Sequence, residues 1–184
     1  MPGSSSDSTF VISAAVTPVA ADRLEDEVVG LFEQLRSRML RYLLSLGLPA
    51  HDAEEVVQEV FLSLFQHLQR GKGRENLRGW VFRVAHNLAL KQRTLSRREF
   101  QYSAETVETV DPQPNPEEKL AGSQRQQRLL AVMRALPEQD QYCLYLRAEG
   151  LRYREIAEVL GISLGAVSNS LVRSLGRLGR ADER

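Results

Sequence analysis

The sequence predicts an all-α fold: two small helical domains joined by a flexible, acidic, proline-containing linker, the C-terminal one a helix-turn-helix. Apolar residues recur at three- and four-residue spacing through nearly the whole chain, and no segment alternates as a strand does. Between Gln101 and Pro116 that periodicity stops, and Pro112, Pro114 and Pro116 lack the backbone donors of a helix. Near the C-terminus, a short helix pattern over Arg154–Leu160 runs into Gly161-Ile162-Ser163, and a second pattern then runs to about Leu178. Two short helices around a glycine-containing turn are the helix-turn-helix signature, whose second helix enters the DNA major groove. The expected division is a disordered serine-rich tail over 1–21, a helical domain over 22–100, a linker over 101–116 and a second helical domain over 117–181.

The elements follow in order. From Leu24 to Leu46, the residues Val28, Leu31, Leu35, Met39, Tyr42, Leu43 and Leu46 share one helix face, and Gly47 and Pro49 end it. Asp52 opens the next helix as cap or first-turn acid, with Val56, Val57, Val60, Phe61, Leu64, Phe65 and Leu68 inward. Gly71-Lys72-Gly73 marks a loop. A third helix starts near Asn76, carries Leu77, Trp80, Val81, Val84, Leu88 and Leu90, and dissolves near Arg98. Trp80 is expected in the core, Phe82 and Arg83 at the surface. Helical pattern resumes near Glu117 and runs to Leu136, and Pro137 suits the first turn of a helix that stops at Gly150. Gly161 falls where a helix C-cap needs positive φ, and Ser163 can cap the next helix with its hydroxyl. In that last helix Val167, Leu171, Leu175 and Leu178 form the apolar face.

A formal net charge of zero hides strong segregation. Arg70, Lys72, Arg74, Arg78, Arg83, Lys91, Arg93, Arg97 and Arg98 cluster against only Glu75 and Glu99, between an acidic first third and an acidic linker. Basic side chains track phosphates, and Trp80, Phe82 and His86 among them suit stacking on exposed bases. Asp52, Glu55, Gln58 and Glu59 share one exposed helix face that could dock on a basic partner surface. In the last helix Asn169 and Arg173 can pair with base edges, Arg177 and Arg180 with the DNA backbone, and the amides near Ser163 with a phosphate.

The remaining composition excludes other classes. The single cysteine, Cys143, sits in an apolar run and allows neither an internal disulfide nor a cysteine-based zinc site. His51, His67 and His86 show no ligand spacing, no glycine-rich phosphate loop follows a strand, and no catalytic constellation emerges. No enzyme activity, metal or cofactor is expected. No apolar run approaches the roughly 20 residues of a membrane span. The apolar stretch Phe10–Ala21 is preceded by Asp7 and no basic residue, so it is not read as a signal peptide. A cytoplasmic protein is expected.

Three segments in order carry a family resemblance: DAEEVVQEVFLSLF (Asp52 to Phe65), LRGWVFRVAHNLALKQRTLSRR (Leu77 to Arg98) and LPEQDQYCLYLRAEGLRYREIAEVLGISLGAVSNSLVRSLGRL (Leu136 to Leu178). The chain resembles the sigma factors of bacterial RNA polymerase, in their two-domain extracytoplasmic-function group, over almost everything from Leu31 to Arg180. The resemblance implies a promoter-specificity subunit that binds core RNA polymerase, reads −10 and −35 elements and melts DNA. It implies that Asp52, Glu55, Gln58 and Glu59 grip the clamp of the largest subunit. It implies that Lys72, Arg74, Asn76, Arg78, Phe82, Arg83, His86, Asn87, Lys91, Arg97 and Arg98 serve the −10 element and melting, with a flipped-out base held by the Arg70–Asn76 loop. It implies that Ser163, Leu164, Ala166, Ser168, Asn169, Ser170, Arg173 and Arg177 serve the −35 element, that the C-terminal domain also meets the polymerase flap, and that an anti-sigma factor is a partner. Glu105, Glu108 and Asp111 of the linker would run through a basic channel of the polymerase. The chain departs from the family by placing Ser168 and Ser170 where lysine and arginine are common, and Arg152 where a serine or threonine cap is usual, which implies a weaker electrostatic grip on the −35 element. The alternative from another class is a stand-alone helix-turn-helix regulator binding duplex DNA without polymerase. A third is a partner-binding module without DNA function.

Overall fold

The computed structural model describes residues 18–103 and 124–182, with side chains over 23–96 and 125–182. Seven helices and no strand are found among the described residues: α1 (Pro18–Ser45), α2 (Ala50–Gln69), α3 (Leu77–Ser103), α4 (Gln124–Arg134), α5 (Glu138–Ala148), α6 (Tyr153–Leu160) and α7 (Leu164–Asp182). The all-α expectation holds. Two boundaries differ from it: α1 begins at Pro18, inside the stretch expected as tail, and α3 runs past Arg98 to Ser103. The rest of the expected linker, with Glu105, Glu108 and Asp111, lies outside the described residues, as does the helix start expected at Glu117.

Helix α2 shows why these sequences fold as they do. Val56, Val57, Val60, Phe61, Leu64 and Leu68 are buried, Phe65 is half-buried, and the intervening Glu54, Glu55, Gln58 and Glu59 are exposed. The apolar face packs between α1 and α3, in one core cluster that includes Met39, Leu43 and Val81. Each such side chain removed from water contributes about 1.5–3 kcal/mol before entropy is counted. Phe32 of α1 meets Phe61 edge-on at 5.0 Å. Pro49 occupies the cap position, so Asp52 acts as a first-turn acid facing the positive end of the helix.

The last four helices form the second group. Gly161 ends α6 at φ 65° in the left-handed region, and the Ser163 hydroxyl accepts the Ala166 N–H at 3.1 Å to cap α7. At Arg152, where the resembled family usually has a serine or threonine cap, Glu155 accepts the backbone N–H at 2.6 Å, supplying one half of a capping box. α6 and α7 are bent 107° from one another. Leu146, Leu151, Ile156, Val167 and Leu171 fill the centre of this group, and they join the α1–α3 core in one continuous apolar cluster, because α6 lies along α3 and α5 reaches α1.

Among the described residues no single helix is long and apolar enough to cross a membrane.

Candidate nucleic-acid interface

The outer face of α2 is acidic and polar. Glu55, Gln58 and Glu59 are exposed, and Asp52 is half-buried at the start of the helix. Glu54 reaches Arg36 of α1 at 3.9 Å, and Glu55 reaches the His51 imidazole at 3.4 Å. Beside this face, Phe32, Arg36, Leu40, Val57 and Gln58 line a cleft of about 220 Å³ between α1 and α2.

Helix α3 is built differently. Its inward line is Leu77, Val81, Ala85 and Ala89, but it also meets α1 on one side, so the buried arc is wider than one stripe. Phe82 is therefore fully buried, 5.8 Å from the Tyr42 ring of α1, and is not the surface residue expected from the sequence. Trp80 is only half-buried and lies 4.7 Å from His67 at the end of α2. His86, also expected to face DNA, is buried and shares a 2.7 Å hydrogen bond with the Tyr42 hydroxyl. Burial, and then the charge of Arg93, pushes its imidazole down to about 4, so the ring is neutral near pH 7. Arg83, Asn87 and Lys91 recur every four residues on the exposed side of α3. The side chains of Arg97 and Arg98 lie outside the described residues.

The loop before α3 adds exposed Lys72 and Arg74, the latter paired with Glu27 of α1. Asn76 sits at φ 51° and caps α3, its side-chain Oδ1 accepting the Gly79 N–H at 3.1 Å. Its amide donates to Glu158 of α6 at 2.5 Å, and the half-buried Arg78 donates to the Glu149 carbonyl at 3.3 Å. Both side chains expected to reach DNA are thus engaged by the C-terminal helices.

At the start of α7, Ser163, Leu164 and Asn169 are exposed, Ala166 and Ser168 are half-buried, and Arg177 is exposed farther along the helix. Ser170 corrects the sequence reading: it is 1% exposed and donates to Asp140 of α5 at 2.5 Å. Arg173 donates to the same carboxylate from Nε at 3.0 Å and from Nη2 at 2.7 Å, so it is held against α5 and not free for a base edge. The Arg173 guanidinium, helped by Ser170, holds the Asp140 carboxyl below the usual carboxylate range despite burial. Leu175, expected on the apolar face, is 55% exposed, and Ser174 takes the inward position. Asp140 escaped the sequence reading. Its signal was there: it lies three and four residues before Cys143 and Leu144, on their buried stripe, where a carboxylate requires a partner.

An all-helical chain with a capped helix-turn-helix and an exposed line of Arg83, Asn87 and Lys91 on α3 has the make-up of a DNA-binding protein. Comparison with known proteins narrows this. The family model for Sigma-70 region 2 matches residues 31–99, and that for Sigma-70 region 4 matches residues 126–178. RNA polymerase sigma factor CnrH of Cupriavidus metallidurans is 30% identical over 149 residues, covering 74% of this chain and 73% of that one. RNA polymerase sigma factor YlaC of Bacillus subtilis is 27% identical over 155 residues, covering 81% and 88%. The fold matches that of the sigma factor RpoE of Bartonella quintana, solved with the anti-sigma factor NepR, at a TM-score of 0.60 and 21% identity over 87% of this chain and 96% of that one. The chain belongs to the sigma-70 family, in its extracytoplasmic-function group, and is a promoter-specificity subunit of RNA polymerase.

Proposed function

We propose that the exposed face of α2, through Asp52, Glu55, Gln58 and Glu59, docks on the clamp of core RNA polymerase. The observation that carries this reading is the clean separation of that face from the core: Gln58 and Glu59 are exposed while Val56, Val57 and Val60 are fully buried behind them. Such a surface is preformed and needs no rearrangement to meet a basic partner. Helix α3 serves the −10 element and melting, with Arg83, Asn87 and Lys91 as the exposed contacts and Lys72 and Arg74 on the preceding loop. The start of α7 serves the −35 element through Ser163, Leu164, Ala166, Ser168 and Asn169, while Arg177 positions the helix on the DNA backbone. Arg173 acts through Asp140 on helix orientation, not on bases directly. The two recognition units correspond to residues 22–100 and 117–181. The protein works in the cytoplasm as a non-enzymatic subunit, and an anti-sigma factor covers its polymerase-binding surfaces when it is idle.

The test is run-off transcription with purified core polymerase over a genomic promoter library, comparing the native chain with Gln58→Lys/Glu59→Lys. Selective initiation by the native chain, lost in the variant with an unchanged circular dichroism spectrum, is the expected result. Unchanged core affinity in the variant refutes the docking face. Duplex binding without polymerase-dependent initiation would favour the stand-alone regulator.

A further inference from the structure

The outward side of α7 carries a row that the core does not explain. Leu164, Ser168, Val172, Leu175 and Gly179 follow one another at four- and three-residue steps, so they lie in line along the helix. Leu164 is 52% exposed, Val172 70% and Leu175 55%. Single exposed apolar residues are ordinary, whereas three aligned on one helix form a patch that calls for a partner. No charge interrupts the row. The arginines of α7 stand on another: Arg173 is held by Asp140, and Arg177 and Arg180 border a cleft of about 550 Å³ against α4.

The place of the row points to its partner. It starts at Leu164, the first residue of α7, directly after the turn that Ser163 caps, where a recognition helix enters the major groove. From Leu164 to Val172 the helix rises about 12 Å, roughly three or four base steps. Guanine is read chiefly by arginine or lysine, and the row has neither. The apolar group that the major groove presents is the C5 methyl of thymine. Covering that methyl with leucine or valine takes apolar surface of both out of water. We propose that Leu164, Val172 and Leu175 read the −35 element through thymine methyls, with the exposed Asn169 amide beside them for an adenine edge. The inference rests on reading the start of α7 as the −35 helix. It makes the element rich in A·T pairs and its recognition a matter of apolar contact more than of charge.

The test uses the full chain with core polymerase. Run-off products from a promoter library randomised through the −35 element are sequenced to find the preferred element. Each thymine in it is then replaced by deoxyuridine, which removes the C5 methyl and keeps the base pair. With the native chain, initiation at limiting protein is expected to fall about fourfold for each methyl that is read. In Leu164→Ala and in Val172→Ala the response to deoxyuridine is expected to vanish at one thymine, a different one for each variant. Val29→Ala, at an exposed apolar position on α1, should keep the full response. A preferred element without A·T pairs overturns the proposal, as do deoxyuridine templates as active as thymine ones. An alanine variant that lowers initiation equally on both templates also overturns it and assigns the row to a protein contact. If randomising the −35 element leaves initiation unchanged, the assignment of α7 to that element falls. If the sequence matters but the methyls do not, only the methyl readout falls.

Discussion

Helices α2 and α7 are both amphipathic, yet their buried faces are made of different chemistry. α2 presents an unbroken row of valine, leucine and phenylalanine to two apolar neighbours. α7 presents Val167 and Leu171, but also Ser170, whose hydroxyl donates to the buried Asp140 carboxylate of α5, and Ser174, whose hydroxyl is buried with no hydrogen-bond partner among the described residues. Leu175 is correspondingly turned outward. A hydrophobic stripe is thus a reliable guide to a face only where the opposing face is itself apolar. Where the partner is a buried acid, a small hydroxyl residue is the complementary choice, and a nearby leucine is left in water.

The largest effect is expected on the apolar side of this comparison. Leu64→Ala opens a cavity in a fully buried position and should lower stability by about 3 kcal/mol, read from the urea midpoint. A loss of similar size should follow acidification, through the third kind of buried face, that of α3. His86 faces Tyr42 from α1 and Tyr142 from α5, with Arg93 on its own helix and Glu138 behind it. Its ordinary value of 6.5 is lowered to about 4 in the fold, so protons bind more readily to the unfolded chain. The stability that neutral His86 contributes is complete above the unfolded value and drains as pH falls toward the folded one, reaching a loss of about 3 kcal/mol at the bottom of that window. Urea titrations across the range check it, and a His86→Asn chain should show a flatter profile.

Asp140→Ala should cost about 2 kcal/mol, less than Leu64→Ala, because Arg173 is half-exposed and can rehydrate once its partner is gone. The same variant should shift −35 selectivity in run-off assays. An unaltered promoter profile would show that the α5–α7 lock is structural only. The smallest effect is expected at Leu175→Ala, below about 0.5 kcal/mol, since that side chain packs on little. A loss comparable to Leu64→Ala would mean that Leu175 is buried in solution and would erase the contrast.

Much of the helical order was legible in the sequence, because periodicity, Gly161, Ser163 and Pro137 act locally. The α2 face was read almost residue by residue. What failed was non-local. Phe82, expected at the surface, is buried because α3 touches α1, α2 and α6, and its own spacing shows only one stripe. Asn76 read as a loop contact, whereas it caps α3 and meets Glu158, a residue far along the chain. Glu138, Glu149 and Glu158 belong to no common pattern, and only the folded chain brings them to Arg93, Arg41 and Asn76.

Cys143 carries a practical consequence. Its side chain is fully enclosed, and burial pushes the thiol further from its reactive, ionised form. Maleimide dyes can therefore be attached to cysteines engineered on the outer surfaces without first removing the native one. The native thiol, left in place, becomes a clock: its slow reaction with an aromatic disulfide reagent times how often the centre of the C-terminal helices opens to solvent.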